Sequence, residues 1–220
     1  QMKRNTDLDF IRAILIILMI LIHIVSFGNA YPQLKAGILS FMMPTFLIIT
    51  GYLVNIEKTG RQMGNYLKCL ALPYVIMVTG FSVLSYYMPV RDGITELSLS
   101  QICEKIFVTS IGPYWFIQTM IICGTLYYFC FRGRNWNDLR KNYTKRDTYA
   151  SLFVFALTLL LISETPALSA SAAAYYFIGV VIRQSKTEWN KLFRHESFAI
   201  ILWIYLLNHD DWYDWGSLAI

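Results

Sequence analysis

Only four cysteines occur among the 220 residues, and their spacing fits neither a metal site nor a disulfide framework. They are Cys69, Cys103, Cys123 and Cys130, which we interpret as unreactive thiols in or near helices. The sequence also lacks the pattern of a cleavable signal peptide. Its first hydrophobic run is too long for one and has no small-residue cleavage site, so we expect a retained membrane span.

Charged residues make up only 15% of the chain, whereas hydrophobic residues make up 56%. This composition is too apolar for an ordinary soluble domain, and it predicts an all-α bundle of transmembrane helices. The net charge of +5 would suit nucleic acid, but Lys and Arg lie in clusters between hydrophobic runs. Such clusters are typical of cytoplasmic loops. The lipid bilayer, and no nucleic acid, is therefore the expected partner.

Seven hydrophobic segments predict seven spans. They are residues 10–28, 36–54, 69–88, 106–131, 149–163, 167–183 and 197–208. Alternate loops carry the basic residues, with the densest cluster at 132–146, while the opposite loops are acidic and hold only Lys35, Arg91 and Lys105. This asymmetry predicts a cytoplasmic N-terminus. The last residues resemble the start of an eighth helix. We therefore expect residues 1–220 to form one domain whose C-terminal spans are missing from this sequence.

Arg12 and His23 lie within the first hydrophobic segment, where ionisable groups are expensive. Eleven residues separate them, so on a helix they share one face and lie about 16 Å apart. Taken alone, Arg12 is explained as an interfacial cation, paired with Asp9 one turn earlier. His23 taken alone is explained as a hydrogen-bonded packing residue. Their alignment favours a functional track.

Other candidate positions have simple structural explanations. Gly51 permits close approach of helix backbones, and Thr50 can bond to its own helix. Trp115 follows Pro113 and fits an interfacial helix start. A C-terminal group could bind a cation, but a solvated acidic loop is the simpler interpretation, and no metal is expected. That group is His209, Asp210, Asp211 and Asp214.

In order along the chain, several segments resemble the acyltransferase-3 family of membrane acyltransferases. The matches are Arg12 and His23 with Asp9; Pro44, Phe46, Gly51 and Tyr52; Lys68 leading to Pro73-Tyr74; Trp115-Phe116-Ile117; and, more weakly, Tyr176 to Gly179. Two positions depart from the family pattern, since Thr50 replaces a serine and Leu47 an aromatic residue. The family typically has about ten spans, so the last third would be absent.

The resemblance implies transfer of an acyl group, commonly acetyl from acetyl-CoA, to a hydroxyl of a cell-surface glycan or lipid-linked sugar. Acyl-CoA would be a donor substrate and not a tightly bound cofactor. Arg12 would hold an anionic part of the donor, because guanidinium forms bidentate contacts with such groups. His23 would be the general base, since imidazole titrates near neutral pH.

Asp9 would orient Arg12, and Lys68 would assist in binding the donor. Thr50, Gly51, Tyr52 and Trp115 would support the site. A transporter or proton-coupled channel is the alternative, because intramembrane Arg and His also mark transport pathways. The sequence shows neither an inverted repeat nor paired broken helices, which disfavours that class. A scaffold that binds soluble partners through the loop 132–146 is a third possibility.

Overall fold

The computed structural model describes residues 6–88, 90, 92–131 and 145–185. All regular structure within these ranges is helical, so the predicted all-α class is confirmed. The helices are α1 (Thr6–His23), α2 (Val25–Ala30), α3 (Pro32–Leu53), α4 (Gly60–Tyr87), α5 (Leu99–Phe107), α6 (Trp115–Phe131), α7 (Lys145–Ser163) and α8 (Ala170–Gln184). The seventh predicted span, the basic residues 132–144 and the acidic group at 209–214 lie outside the described residues.

Three helical segments among the described residues are long and apolar enough to cross a bilayer. They are Pro32–Leu53, Gly60–Tyr87 and Gly112–Phe131, with mean hydropathies of 1.7, 1.8 and 1.2. Each has at least the 20 or so residues that a hydrocarbon core of about 30 Å requires. Large apolar side chains on α4, such as Leu72 and Ile76, are exposed as lipid-facing residues would be. The number of seven spans stays a prediction.

Two predicted spans are interrupted in the structure. The first ends at His23, because Ile24 adopts an extended conformation (φ −74°, ψ 110°) before α2 begins. The segment 106–131 is also not one helix. Helix α5 ends at Phe107, and Gly112, with φ +57°, adopts a left-handed conformation that a continuous helix does not contain. Pro113 lies in the short 3-10 turn Gly112–Tyr114, which leads into α6.

The third predicted span begins nine residues earlier than expected, at Gly60. Thr59 and Gln62 form a capping box: the Thr59 hydroxyl accepts from the Gln62 N–H, and the Gln62 side chain accepts from the Thr59 N–H. These two bonds satisfy backbone donors at the helix start. Helix α4 therefore extends well beyond the apolar segment, and its first turns lie beside the end of α3.

The closest helix contact joins α3 and α8 at two glycines. A Cβ atom added to Gly51 would overlap the Tyr176 carbonyl oxygen, and one added to Gly179 would overlap the Ile48 carbonyl oxygen. Small residues allow such backbone-to-backbone packing in membrane proteins. The role predicted for Gly51 is therefore confirmed, and Gly179 is its partner.

Helices α1 and α3 pack against each other through buried residues spaced seven apart on α1. These are Leu8, Leu15 and Ile22, which face Ile38, Met42, Phe46 and Ile49 of α3. The two helices run antiparallel. Arg12 of α1 lines one cavity with Thr50, near the end of α3, whereas His23, at the end of α1, lines another with Leu39, near the start of α3. This packing fixes the rotation of α1, and with it the direction in which Arg12 and His23 point.

Candidate functional site

Arg12 and His23 lie on one unbroken helix, as the sequence predicted. Helix α1 runs from Thr6 to His23, so the two side chains are about 20° apart around the axis and about 16 Å apart along it. Both border the buried stripe of α1 and are themselves exposed. The most exposed apolar side chains of the helix, Phe10 and Ile17, lie on another side. Arg12 and His23 therefore follow the edge between the helix contact and the apolar surface.

Arg12 lines a cavity of about 370 Å³ between α1, the end of α3 and the start of α4. Lys58 contributes a second cation, and Thr50, Asn55 and Tyr66 add polar groups. Leucine, valine and methionine side chains form the rest of the wall. No carboxylate is among the lining residues that the structure describes. Two cations in a partly apolar cavity whose described lining holds no carboxylate form a site suited to an anion.

The loop between α3 and α4 holds Lys58 in this cavity through several contacts. The Asn55 side-chain oxygen accepts from the Glu57 N–H at 2.8 Å, which forms a local turn. The Tyr128 hydroxyl of α6 donates to the Lys58 carbonyl oxygen at 3.0 Å. The Lys58 ammonium lies 4.2 Å from the centroid of the Tyr66 ring, in cation–π geometry. The loop is therefore anchored from both sides, and the Lys58 side chain has a defined resting position.

His23 lines a second cavity, of about 290 Å³, with Asn29, Lys35 and two apolar residues. The His23 Nδ1 atom lies 2.7 Å from the Met19 carbonyl oxygen. A carbonyl oxygen only accepts, so Nδ1 carries a proton, and in a neutral ring the lone pair is then on Nε2. Nε2 has no hydrogen-bond partner in the described part of the chain. The backbone thus holds the imidazole in the tautomer that a general base requires.

The two cavities have no lining residue in common. They lie at opposite ends of α1, one beside the end of α3 and the other beside its start. The functional track predicted from the sequence thus corresponds to two separate cavities along one edge of α1. A continuous connection between them stays a prediction.

The remaining predicted site residues divide into two groups. Thr50 lines the Arg12 cavity and donates to the Phe46 carbonyl oxygen at 2.7 Å, which confirms its predicted bond within the helix. Lys68 is exposed, Asp9 is half-buried, and neither lines a cavity. Donor binding by Lys68 and the pairing of Asp9 with Arg12 stay predictions.

Tyr52 and Trp115 lie at helix contacts. The Arg183 guanidinium lies over the Tyr52 ring, 5.6 Å from its centroid. Trp115 is the first residue of α6 and meets Phe116 edge to face at 6.2 Å. Phe116 in turn packs against Phe46 of α3, with ring centroids 5.7 Å apart. These contacts connect the segments of α3, α6 and α8 that were noted above for their family resemblance, and α1 packs against the helices so connected.

Sequence reasoning missed Lys58, Tyr66 and Lys35 as lining residues. Lys58 and Lys35 were counted only as loop charges that set the orientation, and Tyr66 precedes the predicted third span. One signal was present, because Lys35 is among the few cations in loops that are otherwise acidic. To predict that Lys58 and Tyr66 line the cavity, one would need to know that α4 starts at Gly60, and the apolar pattern does not indicate that start.

The fold and the two cavities define an integral membrane helix bundle with an anion-suited chamber and a histidine-lined chamber on one helix. A family profile described as "Acyltransferase domain" matches residues 5–208. The chain therefore belongs to the acyltransferase-3 family, as its ordered segments suggested.

A curated relative is the nodulation protein NolL of Sinorhizobium fredii, which is 27% identical over 216 residues. The match covers 90% of this chain and 54% of NolL, so the chain spans about half the length of the curated relative that it matches. No solved structure matches the chain.

Proposed function

We propose that the protein transfers an acyl group, acetyl in the first instance, from acyl-CoA to a hydroxyl of a cell-surface glycan or lipid-linked sugar. Membership of the acyltransferase-3 family supports the reaction class. The observation that carries the assignment of roles is the placement of Arg12 and His23 in separate chambers on one helix. The Arg12 cavity takes the donor, and the His23 cavity takes the acceptor.

The charge of the Arg12 cavity supports donor binding there. Acyl-CoA carries phosphate groups, and a guanidinium binds phosphate oxygens through two parallel hydrogen bonds. Lys58 adds a second cation, which moves off the Tyr66 ring to reach a phosphate. Asn55 and Thr50 offer further hydrogen bonds. The apolar part of the wall suits the less polar pantetheine arm.

The separation of the cavities fits the shape of the donor. In acyl-CoA the thioester lies at the end of a long, flexible pantetheine arm, far from the phosphates. Phosphates bound near Arg12 are therefore compatible with a thioester near His23, about 16 Å further along α1. In this arrangement the donor enters from the cytoplasmic side and the acceptor from the opposite side, as the predicted cytoplasmic N-terminus requires.

The chemical step needs one base. The acceptor hydroxyl oxygen forms a bond to the thioester carbonyl carbon while the His23 Nε2 atom takes the hydroxyl proton. The carbon–sulfur bond then breaks, and the proton passes to the departing CoA thiolate. The products are the O-acylated sugar and free CoA thiol. The bond from Nδ1 to the Met19 carbonyl oxygen stabilises the imidazolium that forms in between.

Full-length protein in membrane vesicles, supplied with radiolabelled acetyl-CoA and a crude glycan acceptor, tests the proposal. We expect the label to enter the glycan together with an equal release of CoA thiol. His23→Ala should lower the rate by about 10²- to 10⁴-fold, the usual contribution of a general base. Ile20→Ala is the matched control, because Ile20 lies on the exposed apolar side of α1 and lines neither cavity.

The same experiment separates the enzyme from a transporter. A transporter moves solute without acyl-CoA and releases no thiol. Label uptake into vesicles with no thiol release, or full transfer activity in His23→Ala, would contradict the proposal.

A further inference from the structure

The His23 cavity contains a second functional group, the Lys35 ammonium. Lys35 lies early in α3, twelve residues after His23, and is half-buried. Its side chain lies against Gly28 of α2: a Cβ atom built on Gly28 would be 3.1 Å from both Cδ and Nζ of Lys35. The missing side chain at Gly28 therefore leaves the space that the lysine occupies. The fold thus places Lys35 in the lining of the same cavity as His23.

The residues described around Lys35 in this cavity supply no counter-charge. The described lining of the cavity contains no Asp or Glu, and its only other polar member is Asn29. Within the described ranges no hydrogen bond is made by the Lys35 Nζ atom. An anionic ligand in this cavity would supply the partner that the ammonium lacks there. Two other described lysines differ: Lys105 donates to the Thr109 hydroxyl, and the Lys58 ammonium lies over the Tyr66 ring.

The dimensions of the cavity suggest the size of that ligand. A volume of about 290 Å³ lies at the small end of ligand sites, which suits a single sugar ring. Ile22 and Leu39 form an apolar wall, and the Asn29 amide can bond sugar hydroxyls in both directions. The cavity therefore offers a base, a cation and an amide around one small ligand.

We propose that the acceptor is an anionic sugar, and that Lys35 binds its carboxylate or phosphate while His23 deprotonates the neighbouring hydroxyl. This inference rests on the proposed function, because it assigns the acceptor to the His23 cavity. Lys35 is then a specificity-determining residue. It selects acceptors in which the reactive hydroxyl and the negative charge belong to the same sugar residue or to adjacent ones.

Matched acceptor pairs test the inference with full-length protein in proteoliposomes and acetyl-CoA as the donor. One pair is a disaccharide containing a uronate and its neutral methyl ester. The second is a glycosyl phosphate and the corresponding methyl glycoside. In the wild-type protein, kcat/KM should be about tenfold or more higher for the charged member of one pair. If the uronate pair shows this difference, the recognised group is a carboxylate. If the glycosyl phosphate pair shows it, the recognised group is a phosphate.

The variants then locate the selectivity. Lys35→Gln should bring the ratio within that pair close to one, because kcat/KM falls more for the charged member than for the neutral one, and Lys35→Arg should keep most of the preference. Lys105→Gln is the matched control, since it removes a cation that lines neither cavity.

An equal loss for both members of each pair in Lys35→Gln would assign the lysine to a structural role or to transition-state stabilisation, and would overturn the inference. An unchanged ratio in Lys35→Gln would overturn it as well. Absence of both transfer and thiol release in the wild-type protein would overturn the proposed function itself, and this inference with it.

Discussion

The contact between α3 and α8 predicts that Gly179→Ala destabilises the protein strongly. The added Cβ would overlap the Ile48 carbonyl oxygen and lie 3.0 Å from the Tyr52 backbone nitrogen. Favourable contacts between nonbonded heavy atoms begin at about 3.5 Å. Both neighbours are backbone atoms, so no side-chain rotation relieves the overlap, and the helices must separate. Overpacking lowers the free energy of unfolding by about 1–3 kcal/mol, and we expect a loss at the upper end of that range for Gly179→Ala.

Two further variants refine this prediction. In Gly51→Ala the added Cβ would overlap the Tyr176 carbonyl oxygen at the same helix contact, so the free energy of unfolding should fall by a similar amount. Separation of the helices by one substitution makes room for the other, so the double variant should lose clearly less than the sum of the two. Gly64→Ala and Gly80→Ala are matched controls, because each lies in α4 with no atom within 4 Å of the added Cβ. They should leave the stability unchanged or raise it by up to about 1 kcal/mol, because alanine is the better helix former.

The assay is the free energy of unfolding of the full-length protein in mixed micelles, followed by far-UV circular dichroism. Acyl transfer measured in parallel should fall with stability, since α3 carries residues of both cavities. A change in Gly179→Ala no larger than in Gly64→Ala would refute the close packing of α3 on α8. Strict additivity of Gly51→Ala and Gly179→Ala would show that the two glycines do not share one contact.

Two other predictions concern the cavities. Tyr128→Phe removes the bond to the Lys58 carbonyl oxygen and should raise KM for acyl-CoA severalfold, with a loss of about 0.5–1.5 kcal/mol in stability; an unchanged KM would show that this bond does not position Lys58. In a background with all native cysteines replaced, Arg12→Cys should react with a membrane-impermeant thiol reagent from the cytoplasmic side and His23→Cys from the outer side. Labelling of both positions from one side would contradict the predicted orientation.

Composition and charge pattern were sufficient to predict a helical membrane protein, because the bilayer permits few alternatives for long apolar segments. The alignment of Arg12 and His23 followed from spacing alone, since helix geometry is nearly invariant. The ends of helices were less predictable. The break after His23 and the start of α4 at Gly60 depend on backbone conformation at Ile24 and on a capping box in a polar segment.

The partners of the candidate residues were also beyond the sequence. Lys58 lines the Arg12 cavity from a loop that is bonded to Tyr128, and Lys35 lines the His23 cavity from a position where Gly28 leaves room for its side chain. Both contacts join residues of different structural elements, and no periodic pattern encodes them. Gly51 was identified as a packing residue, whereas its partner Gly179 required the arrangement of α3 against α8.

The most direct test of the account compares Arg12→Lys and His23→Ala in one experiment that records both affinity for a nonreactive acyl-CoA analogue and turnover with acetyl-CoA. We expect Arg12→Lys to weaken analogue binding, because the guanidinium fork is lost. We expect His23→Ala to bind the analogue as the wild type does, while its turnover falls by about 10²-fold or more. Wild-type affinity in Arg12→Lys, or equal loss of analogue binding in both variants, would contradict the division of donor and base between the two cavities.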